Sequence, residues 1–310
     1  MIEKTVKEER QKNNREQYRK LWWIYGERRV NLYNRIKNFK RVLVLSSVSK
    51  HSAMAFVPAD YLFMNKITVL AFDRNFHFGI LAGTIHNVWA WKYSSTLGSN
   101  TLNYSPTDVF ETFPFPQNLN YQQEESLESI GEAYHEHRRQ LMLGMQLGLT
   151  KTYNLFHSNA ITVQAVNEKD KQVAALQKHL DKTVNTISFD EAIQGILKLR
   201  ELHVQMDEAV LDAYGWRPST LLPPGESVEL RHGFYDVDYL PENDRTRFTI
   251  HPEARKIVLQ KLLELNHDIH EKEVKAGLWD KKTSKRKFKV ENTDNIVEEP
   301  GAQYGLDFGN

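Results

Sequence analysis

The chain has no cysteine among its 310 residues. Disulfide scaffolds, zinc–thiolate sites, iron–sulfur clusters and cysteine nucleophiles are thereby excluded. No apolar run approaches the roughly 18 residues that a membrane span needs. The opening MIEKTVKEERQKNNREQYRK is too charged for a signal peptide, which requires an apolar centre. The expectation is a soluble, cytoplasmic protein with no membrane contact. No G-x-G occurs, so a dinucleotide fingerprint and a Walker loop are missing. H-E-x-x-H and G-x-S-x-G are missing too. Leu222-Pro223-Pro224-Gly225 holds the only Pro-Pro pair. A base-methylating site needs a polar residue before two prolines, to grip the amine, and a ring after them, to stack on the extruded base. Leu222 and Gly225 supply neither.

What is present suffices for a core: hydrophobic residues make up 40% of the chain and charged residues 26%. The net charge of +1 hides an asymmetry. Residues 1–50 hold 7 Lys and 7 Arg against 5 Glu, a net of +9, which leaves −8 for the other 260. Two readings of the basic end stand at this point, a polyanion-binding surface and a solvated helix. A second basic run, Lys281–Lys289, precedes an acidic tail without periodicity, which reads as flexible.

Hydrophobic patterning divides the chain into three parts, 1–118, 119–278 and 279–310. In the first, a basic helix ends at Leu21–Tyr25. Strand-length runs follow at Arg41–Ser47, Ala53–Val57 (stopped by Pro58) and Ile67–Phe72. Helical spacing predicts a helix over Asn75–Tyr93, then an extended Asn100–Ser105 and a turn or helix start at Ser105–Asp108. Pro114 and Pro116 in FPFP enforce an extended boundary. The second part is mainly helical. Gln122–Leu147 is one helix, with Gly148 as its stop. Ile161–Lys182 is polar and weakly patterned. Phe189–Tyr214 is the clearest helix, with Gly215 in the C-cap position. Prolines 218, 223 and 224 form a loop, and short strands are expected at Val228–Leu230 and Arg247–Ile250. A last helix starts at Pro252 and stops at Gly277. The fold class expected is α+β, a mixed α/β portion followed by a mainly helical C-terminal region.

Catalytic chemistry is hard to find in these residues. His135 and His137 at i, i+2 point to different helix faces. His267 and His270 share a face but lack a third ligand, so no metal site is assigned. Glu273-Val274-Lys275 sits on a helix end and reads as surface charge. The Trp89/Trp91 pair reads as core. Ser46–His51, after the first strand, and Lys92–Thr96, after a helix, offer hydroxyl and cationic side chains, the chemistry of phosphate and base-edge contacts. An ordinary turn is the competing reading of the first of these.

Trp89–Pro116 (W-A-W-K-Y-S-S-T-L, then Y-S-P-T-D-V-F-E-T-F-P-F-P) resembles the end of the target-recognition domain in MmeI-like and related Type IIG restriction–modification enzymes. Tyr104–Pro116 is the most specific piece. Gly148–His157 (GLTKTYNLFH), Leu202–Trp216 (LHVQMDEAVLDAYGW) and Leu265–Lys282 (LNHDIHEKEVKAGLWDKK) are similar to the helical C-terminal portion of the same enzymes, in the same order. The resemblance spans about residues 20–280. It implies a target-recognition domain over 1–118 and a helical region over 119–278; the flexible charged tail over 279–310 is read from composition alone.

In that family an upstream domain binds S-adenosylmethionine and methylates adenine N6 in DNA, and some members add a nuclease. With its motifs missing here, the resemblance implies a detached specificity half. Its partners would be double-stranded DNA and a separate methyltransferase domain or subunit, with no cofactor in this chain. A truncated nonfunctional remnant, or a helical scaffold, is the alternative; an autonomous methyltransferase is disfavoured. Loop placement then nominates Arg28, Arg29, Arg35, Lys40, Arg41, Lys50 and Lys92 for phosphates. For base edges it nominates Ser47, Ser49, His51 and Ser95. Tyr104–Pro116 is expected to lock the recognition part onto the helical part.

Overall fold

The computed structural model describes residues 2–24, 29–98, 101–184, 186–218 and 227–279. The architecture is α+β. Two short helices open it, α1 (Ile2–Gln11) and α2 (Glu16–Lys20), where one was expected. Asn13 causes the break, because its side chain accepts the Arg15 N–H at 2.9 Å and so competes with the helix. Rings fasten the pair: the Arg10 and Arg15 guanidinium groups lie 5.0 and 5.4 Å from the Tyr18 ring. Helix α3 (Val30–Ile36) follows.

A first antiparallel sheet has the order β3-β1-β4, with β1 Arg41–Ser46, β3 Ala55–Pro58 and β4 Ile67–Leu70. Its register pairs Val42 with Val57 and Val44 with Val69 on one face, and Leu43 with Phe56 and Leu70 on the other. Both faces are therefore covered. The valine face packs under Leu32, Tyr33 and Ile36 of α3. The leucine face belongs to the main core. A second sheet, β2-β6-β5, joins β2 (Val48–Ser49), β5 (Ser95–Leu97) and β6 (Thr101–Asn103). The expected helix over Asn75–Tyr93 is two, α4 (Asn75–Ala82) and α5 (Thr84–Tyr93), broken at Gly83.

The C-terminal region contributes α6 (Tyr121–Met145), α7 (Leu149–Phe156), α8 (Lys171–Leu180), α9 (Phe189–Ala213) and α10 (Pro252–Lys275). Helices α6 and α9 begin with capping boxes, at Asn120 with Gln123 and at Ser188 with Glu191. Gly148 does not stop α6. Gln146 does, in a left-handed conformation (φ 51°), and Gly148 starts α7. Gly215, at φ 70°, does follow α9 as expected. The strand expected at Val228–Leu230 is irregular chain, its two apolar side chains buried. The ribbon is instead β7 (Gly233–Asp236) against β8 (Thr246–Thr249). Leu222–Gly225, prolines 223 and 224 and the tail beyond Trp279 lie outside the described residues.

One apolar core runs from Leu43 through Trp89, Tyr134 and Val210 to Leu262. Trp89 and Trp91 are buried in it, as expected. The Tyr104–Pro116 block sits at the seam. Tyr104, Phe113 and Phe115 are buried, and a turn of π-helix spans Pro106–Phe110. The Tyr214 hydroxyl of α9 donates to the Pro114 carbonyl at 2.8 Å. The Asn266 amide of α10 donates to the Thr112 carbonyl at 2.7 Å. The block is thus tied by hydrogen bonds to two helices of the C-terminal region.

Candidate nucleic-acid interface

Antiparallel pairing decides which way the second sheet's side chains point. Leu102 is 2% exposed and enters the core. Its cross-strand partners Ser49 and Thr96 share that face of the sheet, Ser49 half-buried and Thr96 exposed. The opposite face carries the row Val48–Asn103–Ser95 and, one step along, Thr101 with Leu97. Neighbours in such a row lie about 4.8 Å apart. The Asn103 amide donates to Ser95 Oγ at 2.9 Å, which fixes both on this face. Leu97 is 53% exposed and Val48 37%. An amide and hydroxyls can donate to and accept from base edges, and branched methyl groups suit a thymine methyl. A narrow β-ribbon is also an element that a major groove admits.

The sequence reading found Ser95 on this face and missed Val48, Leu97, Thr101 and Asn103. The available signal was a hairpin, S-T-L and T-L-N alternating about Gly98, which takes φ 66°.

Several nominated residues are turned inward. Arg41 was expected on a phosphate. Its Nε donates to the Asp73 carbonyl and its Nη2 to Asn75 Oδ1, both at 2.9 Å, and its guanidinium lies 3.9 Å from the Phe56 ring centre. Those contacts tie β1 to the start of α4 and leave the fork poorly placed for an anion. Lys50 pairs with Asp244 at 2.7 Å. His51 is 7% exposed; its Nε2 meets Asn154 Oδ1 at 2.9 Å and its ring clusters with those of Tyr153 and His157, 5.7 and 5.4 Å away. Burial, against the opposing hydrogen bond to Asn154, lowers its pKa to about 4, so it is a neutral interior group. Ser47 Oγ lies 3.0 Å from Thr68 Oγ1, and Ser49 Oγ accepts the His51 N–H.

Other nominees do face outward. Arg35, Lys40, Lys92 and Ser95 are exposed and Arg29 is half-buried. Lys92 ends α5, three residues before Ser95. Arg28 lies outside the described residues. Lys37 and Lys66, which were not nominated, are exposed as well.

Two other features bound the chemistry. A groove of about 460 Å³ between β3 and α6 is lined by Ala55, Phe56, His135, Arg138, Met142 and Leu149, among others. Its lining residues include no carboxylate and no glycine. Along α6, Glu124, Glu125, Glu128 and Glu132 make an acidic surface, with Arg74 paired to Glu124 at 3.6 Å and to Glu128 at 3.4 Å. Among the described residues no three His, Asp or Glu side chains group to hold a metal. His267 and His270 make no such site, and the His270 ring meets Trp279 edge-on at 4.8 Å. No described helix is long and apolar enough to cross a membrane.

Residues 2–117 match the family model of the MmeI target recognition domain. Comparison with curated proteins returned no match. Among solved structures, the chain is similar to the Type IIL restriction–modification enzyme MmeI in complex with DNA. The identity is 18% and the TM-score 0.42, over 72% of this chain and 24% of that one. The chain therefore spans about a quarter of the length of that enzyme. Over residues 2–117, a little more than a third of the chain, the protein carries an MmeI-like target-recognition domain.

Proposed function

We propose that this chain supplies the DNA-reading portion of a restriction–modification adenine-N6 methyltransferase. The match of residues 2–117 to the MmeI target recognition domain carries the reading. The outward row Val48–Asn103–Ser95 gives it a physical form, since base-edge chemistry stands there on a hydrogen-bonded ribbon rather than a free loop. In this reading Asn103, Ser95 and Thr101 meet base edges. Lys92, Lys66, Arg35, Lys37 and Lys40 hold phosphates and set register without reading sequence. Methyl transfer takes place in a methyltransferase domain or subunit outside these residues, which holds S-adenosylmethionine and receives the adenine of the bound site.

The test is duplex binding by fluorescence anisotropy across a salt series, followed by selection of bound sequences from a random duplex pool. Phosphate-dominated binding makes log K fall linearly with log salt, by about 0.9 per phosphate contact. The Arg35→Ala/Lys37→Ala/Lys40→Ala variant should flatten the slope by roughly 2 to 3 units. Asn103→Ala should leave the slope unchanged and broaden the selected sequence at one position. A chain that binds no duplex at low salt overturns the reading and favours a remnant or scaffold.

A further inference from the structure

Between β3 and β4 the chain carries Tyr61-Leu62-Phe63-Met64, four large apolar residues in a row. Tyr61 is 55% exposed, Leu62 72% and Met64 75%. A contiguous exposed apolar run on a folded surface calls for a function. It is also held in place. Phe63 turns inward and stacks on Tyr33 of α3, with ring centres 6.4 Å apart and planes 22° apart. The Phe63 N–H donates to the Tyr33 hydroxyl at 3.2 Å. In near-extended chain, residues i and i+2 point the same way, so an anchored Phe63 sends Leu62 and Met64 outward together. The Ile67 N–H closes the base of the tongue on the Met64 carbonyl at 3.1 Å.

The setting is cationic. The Lys40 carbonyl accepts the Ala59 N–H at one end of the tongue, and the Lys66 carbonyl accepts the Ser47 N–H at the other. Arg35 and Lys37 belong to or directly follow the helix that supplies Tyr33. Against these four exposed cations, Asp60 is the acid within the tongue. Three exposed side chains, Tyr61, Leu62 and Met64, are far too small for a stable protein interface, which buries about 800 Å² per partner. Apolar side chains of this kind, ringed by cations, suit a duplex whose phosphates meet the ring while the tip enters the stack.

We propose that Leu62 and Met64 form a wedge that inserts between adjacent base pairs and unstacks one step of the bound site. The proposal rests on the DNA-reading function above and adds deformation of the duplex to it. Because Phe63 fixes the tongue beforehand, little ordering cost falls on binding. The step that unstacks most easily would then be preferred at a position that no side chain hydrogen-bonds, a form of indirect readout.

The test uses the full chain and the duplex obtained by random-pool selection, with 2-aminopurine placed at successive positions. Wild-type protein should raise the fluorescence several-fold at one step and leave its neighbours near baseline. Leu62→Ala/Met64→Ala should keep its far-ultraviolet circular dichroism and melting temperature, since both side chains are exposed. It should abolish the fluorescence rise and weaken binding about tenfold, the scale of a single hot-spot truncation. The salt slope should not move. A double variant with wild-type affinity and the same fluorescence profile overturns the wedge. So does wild-type protein that binds tightly without raising fluorescence anywhere. Failure to bind any duplex refutes the DNA-reading function instead.

Discussion

Single residues set the closest approach in the core. Helices α4 and α6 cross where Gly79 faces Gly131. A Cβ on Gly79 would lie 3.3 Å from the Leu127 carbonyl, and one on Gly131 would run into the carbonyl of Asn75. Asn75 cannot retreat freely. Its side chain holds Arg41, and its N–H donates to Glu128 at 3.1 Å. Gly131→Ala removes the helix penalty of glycine, about 1 kcal/mol. It also forces overpacking against fixed backbone, which costs about 1–3 kcal/mol or more. The clash is with backbone rather than with a flexible side chain, so the expected sign is destabilising. A lower urea midpoint with an unchanged m-value would show it. Spacing could place Gly131 in a helix, but the need for glycine there depends on another helix's carbonyl. Arg41 teaches the same lesson, since a basic residue reads as surface until carbonyl acceptors lie within its reach.

Helix ends show where local sequence runs out. Helices α6 and α9 carry their own caps, Asn120-x-x-Gln123 and Ser188-x-x-Glu191, and their starts were legible to within a residue. Neither α4 nor α5 has a side-chain cap of its own. Glu128 of α6 accepts the Asn75 and Phe76 N–H groups at 3.1 and 3.0 Å, capping α4. Asp207 of α9 accepts the Thr84 N–H at 2.7 Å, capping α5. Arg200 caps α7 the other way, donating to the carbonyls of Leu155, Phe156, Ser158 and Ile161. These carboxylates meet the positive ends of helix dipoles and the arginine a negative end. Because every such partner is distant in sequence, the break at Gly83 was invisible, and α4 and α5 read as one helix. Gly83 is itself required, for a Cβ there would lie 2.8 Å from Asp207 Oδ1. Asp207 is fully buried, and its other oxygen accepts from His232 Nε2 at 2.8 Å. Burial raises its pKa, but His203, His232 and the Thr84 bond outweigh burial and leave it below the ordinary carboxylate value. Asp207→Ala strips α5 of its cap and leaves His232 unpaired, so a loss of about 3–5 kcal/mol is expected by urea unfolding. Asp207→Asn keeps an acceptor for Thr84 and should lose less. Equal losses in the two variants would refute the capping role.

At the scale of the whole molecule, exposed cations stand on α3, in the tongue and in the last turn of α5, while α6 carries a run of carboxylates, two of which pair with Arg74. The charge asymmetry pointed to a basic end, as a polyanion-binding surface or a solvated helix, and not to the ribbon face. That face escaped because it is defined by cross-strand pairing, and no single strand of two or three residues advertises its register. Packing the helical region against the sheets has a further consequence in pH. Burial lowers the pKa of His51, His77, His86 and His135 from 6.5 to about 4, and it lowers His157 and His203 as well. In the unfolded chain these imidazoles bind protons below about pH 6.5. In the folded chain His51, His77, His86 and His135 stay neutral until about pH 4, and His157 and His203 also take up their protons below the ordinary value. Their contribution is therefore fully present above pH 6.5 and is lost as the pH falls from 6.5 towards 4, because the unfolded state takes up more protons across that window. Asp207 and Asp244, both lowered below 3.8, are lost in a separate window at or below that value. Urea midpoints measured at pH 7, 5.5 and 4.5 should fall steadily, with a slope corresponding to uptake of several protons on unfolding. In the folded protein, the imidazole Cε1–H resonances of these histidines should not shift between pH 7 and 5. Stability that held level down to pH 4.5, or a buried imidazole titrating near 6.5, would show that water reaches these rings and that the seam between recognition domain and helices is looser than its hydrogen bonds imply.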